Sequence, residues 1–200
     1  MWQYATPLPN LRSVFTWQDG WGNVMDLPGT EYFYTLAALS VTFVGFSTVA
    51  IVLRQTFGGE MSRLDILITR IFIQLGFIVV AGSMLPPLLA LFDWQQGTIW
   101  RIASIAEAVP AFLFAVTYPA RRYAASGVPT PVIIWMDVSI VFLASIALFC
   151  NGFGLGFEPG VGPYAAGLTT ILFLAGIGYL QALNTLLAHH RRTGKSNAPH

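Results

Sequence analysis

Two acidic residues interrupt apolar stretches of the chain, and their carboxyl groups are the strongest candidates for chemistry. Asp137 lies in the apolar run 132–141, and Glu107 lies in the apolar run that begins at Ile99. A charged group in such a run costs roughly 2.5–3.5 kcal/mol on the insertion scale for membrane helices. Each acid therefore needs a partner that offsets this cost, or a function that depends on it.

Arg70 is the predicted partner of Asp137. Asp137 lies six residues after Pro131, which is about 9 Å along a helix at roughly 1.5 Å per residue. Arg70 lies five residues after Asp65, which is about 7–8 Å by the same measure. Because the two helices begin on the same side of the protein, the opposite charges fall at matching depth. We expect an ion pair that favours the ionised form of both groups.

Amide side chains are predicted to extend this pair into a polar layer. Gln74 lies one turn after Arg70 and shares its helix face. Gln181 and Asn184 share one face of the last apolar segment, toward the same side of the protein. The layer has two interpretations: hydrogen bonds that only hold helices together, typically worth about 0.6 kcal/mol each, or a binding site for a substrate or an ion.

Glu107 is predicted to be buried without a cation. It lies about 12 Å from the start of its apolar segment by helical rise, and no Lys or Arg matches its depth. Ala103, Ala111 and Ala115 share its helix face at intervals of four residues. Small residues allow another helix to approach closely, so Glu107 should face protein. An unpaired buried carboxyl favours the neutral form, and it either carries protons or serves as a hydrogen-bond donor.

The positions of other reactive residues exclude several function classes. All three histidines and the single lysine lie in the segment 189–200, so no apolar segment offers a histidine ligand for haem or metal, or an amine for a Schiff base. Cys150 is the only cysteine, so no disulfide or thiol pair forms within the chain. No G-x-S-x-G or H-E-x-x-H motif is present. We expect no cofactor and no metal, and an enzyme is the least favoured class.

The composition predicts an all-α integral membrane protein. Hydrophobic residues make up 55% of the chain and charged residues 10%, against about 25% charged in ordinary globular proteins. A helix needs about 20 apolar residues to cross a membrane. The apolar runs are continuous rather than alternating, which favours helices over a barrel. Five segments qualify: 33–53, 66–92, 99–118, 132–150 and 164–188. Pro86 and Pro87 should end or kink the second.

Basic residues near the segment ends predict the orientation. Seven of them fall on one side of a five-span bundle: Arg54, Arg63, Arg121, Arg122, Arg191, Arg192 and Lys195. An excess of Lys and Arg marks the cytoplasmic side. The segment 1–32 is therefore predicted to lie outside, and 189–200 to form a basic cytoplasmic tail. The glycine-rich segment 151–163 is predicted to be a flexible connector. The short loops favour a bacterial cytoplasmic (inner) membrane.

These observations favour a non-catalytic protein, either an accessory or assembly subunit of a membrane complex or a small self-associating protein. The alternative is a small transporter or proton-linked channel that uses Glu107 and an Arg70–Asp137 polar layer. The expected partners are the lipid bilayer and other membrane subunits or further copies of the chain. The net charge of +1 gives no reason to expect nucleic acid.

The orientation is tested by cysteine labelling in a Cys150→Ser background. An impermeant maleimide should label Thr6→Cys and Gly160→Cys in intact cells, because both positions are predicted to lie outside. Ser126→Cys and Ser196→Cys should label only after the cells are opened. Labelling of Ser126→Cys in intact cells would contradict the five-span arrangement.

Overall fold

The fold is known from a computed structural model that describes the backbone of residues 27–56 and 63–196. Side chains are described for most of these residues as far as Leu180, and those of 181–196 lie outside the description. All regular secondary structure in the described ranges is helical, and these ranges contain no strand. The prediction of an all-α fold is confirmed to this extent.

Five helices make up the described part of the chain. Each contains a segment that is long and apolar enough to cross a membrane, which confirms the predicted number of such segments. The helices are α1 (Thr30–Thr56), α2 (Arg63–Ala90), α3 (Gln96–Ser126), α4 (Val132–Phe153) and α5 (Val161–Ser196).

Helix α3 continues beyond the end that its apolar segment predicts. The segment was expected to end at Tyr118, ahead of Pro119, but the helix runs through this proline to Ser126. One proline removes a single N–H donor, and the following residues keep their own hydrogen bonds. Gly127 ends the helix with a left-handed φ of 67° and donates its N–H to the Tyr123 carbonyl. A side chain would be strained in that conformation.

Two further helices also differ from their predicted ends. Pro86 and Pro87 lie inside α2, which ends at Ala90. The sequence predicts that this segment continues two residues further, to residue 92. Helix α5 begins at Val161 and continues through the predicted end at residue 188 as far as Ser196. The first residues of the predicted basic tail therefore extend α5. Residues 1–26, which make up most of the predicted outer segment, and residues 197–200 lie outside the described ranges.

Four helices form a ring, and α1 packs on its outside. Helix α3 packs against α2 and α4, and α5 packs against α4 and α2, so α2, α3, α4 and α5 enclose the core. Helix α1 contacts α2 and, to a smaller extent, α5. The remaining surface of α1 is uncovered, and it carries large exposed apolar side chains such as Leu39, Phe46 and Val49.

Small residues of α3 allow the ring to close tightly. Ala103, Ala111 and Ala115 are buried, as is Glu107 on the same face, and their spacing of four residues predicts this. Facing contacts are equally close elsewhere in the ring. A Cβ atom added to Gly167 of α5 would lie 2.8 Å from two carbon atoms of Leu148 on α4. The helices therefore approach at distances that only small side chains permit.

Asn151 holds the connection between α4 and α5. Its Nδ2 donates to the Ser104 hydroxyl at 2.7 Å and to the Gly160 carbonyl at 3.1 Å, and its Oδ1 accepts the Gly160 N–H at 3.0 Å. Asn151 is fully buried. The glycine-rich segment was expected to be a flexible connector, but one amide attaches its far end to both α4 and α3. This part of the connector has a defined position.

Candidate functional site

Glu107 lies in the core with its carboxyl group against the backbone of α2. Only 3% of the residue is exposed. A Cβ atom added to Gly82 would lie 2.5 Å from Oε2 of Glu107 and 2.8 Å from Leu168 on α5. Glycine at this position therefore provides the space that the carboxyl group occupies. Glu107 lies where α2, α3 and α5 meet.

Pro86 leaves the carbonyl of Gly82 without its helical donor, and Tyr164 supplies another one. In a helix the carbonyl of residue 82 would accept the N–H of residue 86, but proline has no N–H. The hydroxyl of Tyr164 donates to this carbonyl at 2.6 Å. Tyr164 is fully buried on α5, so the bond joins α5 to α2 beside Glu107. We call Glu107, Gly82 and Tyr164 the Glu107 cluster.

Three aromatic rings pack together on the side of this cluster that is nearer the starts of α1, α3 and α5. Phe33 of α1, Trp100 of α3 and Tyr164 of α5 are all buried. Their ring centroids lie 5.6 to 5.8 Å apart in each of the three pairs. Edge and tilted contacts of this kind stabilise aromatic groups beyond simple burial. The rings separate the Glu107 carboxyl from the end of the bundle where α3 and α5 begin.

Several buried polar atoms in the described part of the helices, including one carboxyl oxygen of Glu107, have no hydrogen-bond partner. Within the described residues, the buried atoms Oε1 of Glu107, Oγ of Ser83 and Oγ of Ser40 have none. The guanidinium of Arg101 lies by the α4–α5 connection, where its Nη2 would be 3.9 Å from a Cβ atom on Gly154. A carboxyl group in this setting can hold or release a proton, or donate one hydrogen bond.

A second polar group lines a cavity at the opposite end of the ring, where α2 and α4 begin. The cavity has a volume of about 400 Å³ and lies between α2, α3, α4 and α5. Its wall is mostly apolar, and its polar side chains are Tyr118, Arg122 and Asp137. Nη1 of Arg122 is 3.5 Å from the Tyr118 hydroxyl. We call this the Arg122–Asp137 cavity.

The described residues of the predicted polar layer have different surroundings from one another. Arg70 is exposed and is not among the residues that line the cavity with Asp137. The described residues show no ion pair between Arg70 and Asp137, so that pairing stays a prediction. Gln74 accepts a hydrogen bond at 3.1 Å from Nη2 of Arg121. Arg122, which was not predicted as a site residue, is the cation that shares a cavity with Asp137.

The remaining predicted residues belong to α5. Gln181 and Asn184 lie on this helix beyond Gly178, which lines the cavity, but their side chains lie outside the description. Their membership of the layer stays a prediction. In the part of the chain that is described, no group of three His, Cys, Asp or Glu side chains is arranged to hold a metal ion.

The bond from Tyr164 to Gly82 yields a testable coupling. Tyr164→Phe should lower the free energy of unfolding by about 1–3 kcal/mol, the cost of leaving a buried carbonyl unpaired. Pro86→Ala returns an N–H to the same carbonyl, so Tyr164→Phe should cost less in that background. Unfolding in detergent, measured for the parent, both single variants and the double variant, provides the coupling energy. Equal costs in the two backgrounds would show that the proline and the tyrosine are not linked through this carbonyl.

Comparison of the chain with protein-family models, curated proteins and solved structures finds no match.

Proposed function

We propose that this is a non-catalytic integral membrane protein that acts by association, as an accessory or assembly subunit of a membrane complex or as a self-associating protein. Five helices of sufficient length and apolar character support the membrane location. The basic residues at one end of the bundle support a cytoplasmic C-terminus and an outer N-terminus. A bacterial cytoplasmic membrane is the proposed location.

The observation that carries this proposal is the apolar packing of α2, α3 and α5 between the two polar groups. Val79 of α2, Ala111 of α3 and Ile171 of α5 have no exposed surface. They occupy the depth between Glu107 and the cavity, whose α3 wall begins at Phe114. Seven residues of helix separate Glu107 from Phe114, or about 10 Å. Passage of ions or protons needs polar groups or water along the whole path, so this apolar packing favours binding over transport.

The face of α1 that is turned away from the four-helix ring is the surface proposed for association. Ala38, Thr42 and Gly45 are exposed there, and a Cβ atom on Gly45 would meet nothing within 4 Å. Helix α1 also lies outside the four-helix ring, so a second helix can reach this face. Small residues allow close backbone approach between membrane helices.

Gly45→Ile should weaken association while leaving the fold intact, because a Cβ atom at this exposed position meets nothing within 4 Å. Gly176→Ile is the matched control: a Cβ atom there also meets nothing within 4 Å, but Gly176 lies on α5. Native mass spectrometry in mild detergent should find the parent and Gly176→Ile in complexes, and Gly45→Ile largely as single chains. The proposal would be contradicted if the parent protein is a single chain in every mild detergent and cross-linking in the original membranes also finds no partner.

The second candidate function is proton-linked transport, and the unpartnered Oε1 of Glu107 is the observation that favours it. Vesicles that contain the purified protein should show no flux under an imposed pH gradient, because the apolar packing interrupts the path. Glu107→Gln keeps the shape and a hydrogen-bond donor but cannot titrate. If the parent shows flux and Glu107→Gln does not, transport rather than association is the function.

A further inference from the structure

The Arg122–Asp137 cavity presents a cation and an anion that are not joined to each other. Both residues line the cavity, but the described residues show no ion pair between them. Nε of Arg122 is buried and has no hydrogen-bond partner in the described structure. Its Nη1 has only a long contact, 3.5 Å, with the Tyr118 hydroxyl. A buried N–H donor of a charged group that has no partner is costly.

The rest of the cavity is suited to a hydrocarbon chain. Its inner wall consists of buried apolar side chains from all four helices of the ring, including Leu75, Phe114, Val141 and Leu174. The wall near the start of α4 includes Ile133, which is largely exposed, so the cavity opens there. A volume of about 400 Å³ falls within the usual range for small-ligand pockets, roughly 300–1,000 Å³.

We propose that this cavity binds one phospholipid whose head carries both a phosphate and a primary ammonium group, the head of phosphatidylethanolamine. The phosphate lies against Arg122, because a guanidinium offers several N–H donors in a geometry that matches phosphate oxygens. The ammonium donates to Asp137. An acyl chain fills the apolar part of the cavity, and the lipid joins the two charges that the protein leaves apart.

The paired charges define which lipids are disfavoured. A lipid with a phosphate and no cation places its negative charge near Asp137 without compensation. A quaternary ammonium balances the charge of Asp137 but has no N–H, so it cannot donate the hydrogen bond that a primary ammonium donates. Selection thus requires both charged residues, one for each half of the head group.

This inference depends on the proposed membrane location but not on whether the protein associates or transports. The membrane location and the lipid site are tested separately. Recovery of the chain outside the membrane fraction would overturn the location. A membrane protein without lipid preference would overturn the lipid site alone.

Native mass spectrometry of delipidated protein in detergent tests the site. Phosphatidylethanolamine, phosphatidylcholine and phosphatidylglycerol of equal chain length are titrated in parallel. We expect one phosphatidylethanolamine per chain, bound about tenfold more tightly than the other two, as one additional charge-assisted hydrogen bond would produce. Glycerophosphoethanolamine, the same head without acyl chains, should not bind at these concentrations, which separates a lipid site from a phosphate site.

Variants assign the two halves of the head group. Arg122→Gln should weaken binding of all three lipids by about tenfold or more. Asp137→Asn should remove the preference for phosphatidylethanolamine over phosphatidylcholine. Arg121→Gln is the matched control, because this neighbouring arginine bonds Gln74 and does not line the cavity. It should bind lipid as the parent does.

A variant that leaves the charges unchanged covers the case in which Arg122→Gln does not fold. Ala175→Leu adds volume to the cavity wall on α5 and should displace the lipid. Equal affinity for the three lipids in the parent would overturn the proposal. A preference that persists in Asp137→Asn and Ala175→Leu would overturn it as well, since the lipid would then be bound elsewhere on the protein.

Discussion

The arrangement around Glu107 depends on one missing N–H group. Pro86 removes the donor that the Gly82 carbonyl would receive within α2, and a buried carbonyl without a donor is costly. Tyr164 satisfies it from α5 at 2.6 Å. This bond fixes the depth of α5 relative to α2, and the absence of a side chain on Gly82 provides the space for the Glu107 carboxyl. A helix irregularity in α2 therefore determines how three helices meet.

Each end of the four-helix ring has its own polar chemistry. At one end an acid lies beside a tyrosine and a backbone carbonyl, covered by aromatic rings. At the other end an arginine and an aspartate face an apolar cavity that is open near the start of α4. Fully buried apolar side chains lie between them. The first group can stabilise contacts inside the protein, whereas the charged residues of the second are partly exposed.

The sequence was sufficient for the helices and for the buried face of α3, because apolar length and a spacing of four residues determine both. It was insufficient for the residues that line a cavity with Asp137. Depth along two helices matched Asp137 with Arg70, but depth does not specify which way a side chain points around its helix. Arg122 was overlooked because α3 was expected to end before Pro119. The sequence contains only a weak signal for the role of Tyr164. Pro86 leaves the carbonyl four residues before it without a donor, but the sequence does not indicate which residue replaces that donor.

The bond between Tyr164 and Gly82 also has a consequence for biosynthesis. Its two residues are 82 positions apart in the chain, so α2 is synthesised long before the ribosome reaches the tyrosine that completes it. Until α5 emerges, the Gly82 carbonyl must be hydrated or held by another donor. The packing of α2 beside Glu107 is therefore incomplete during this interval. Synthesis of α5 is then the step that allows the core around Glu107 to acquire its native structure.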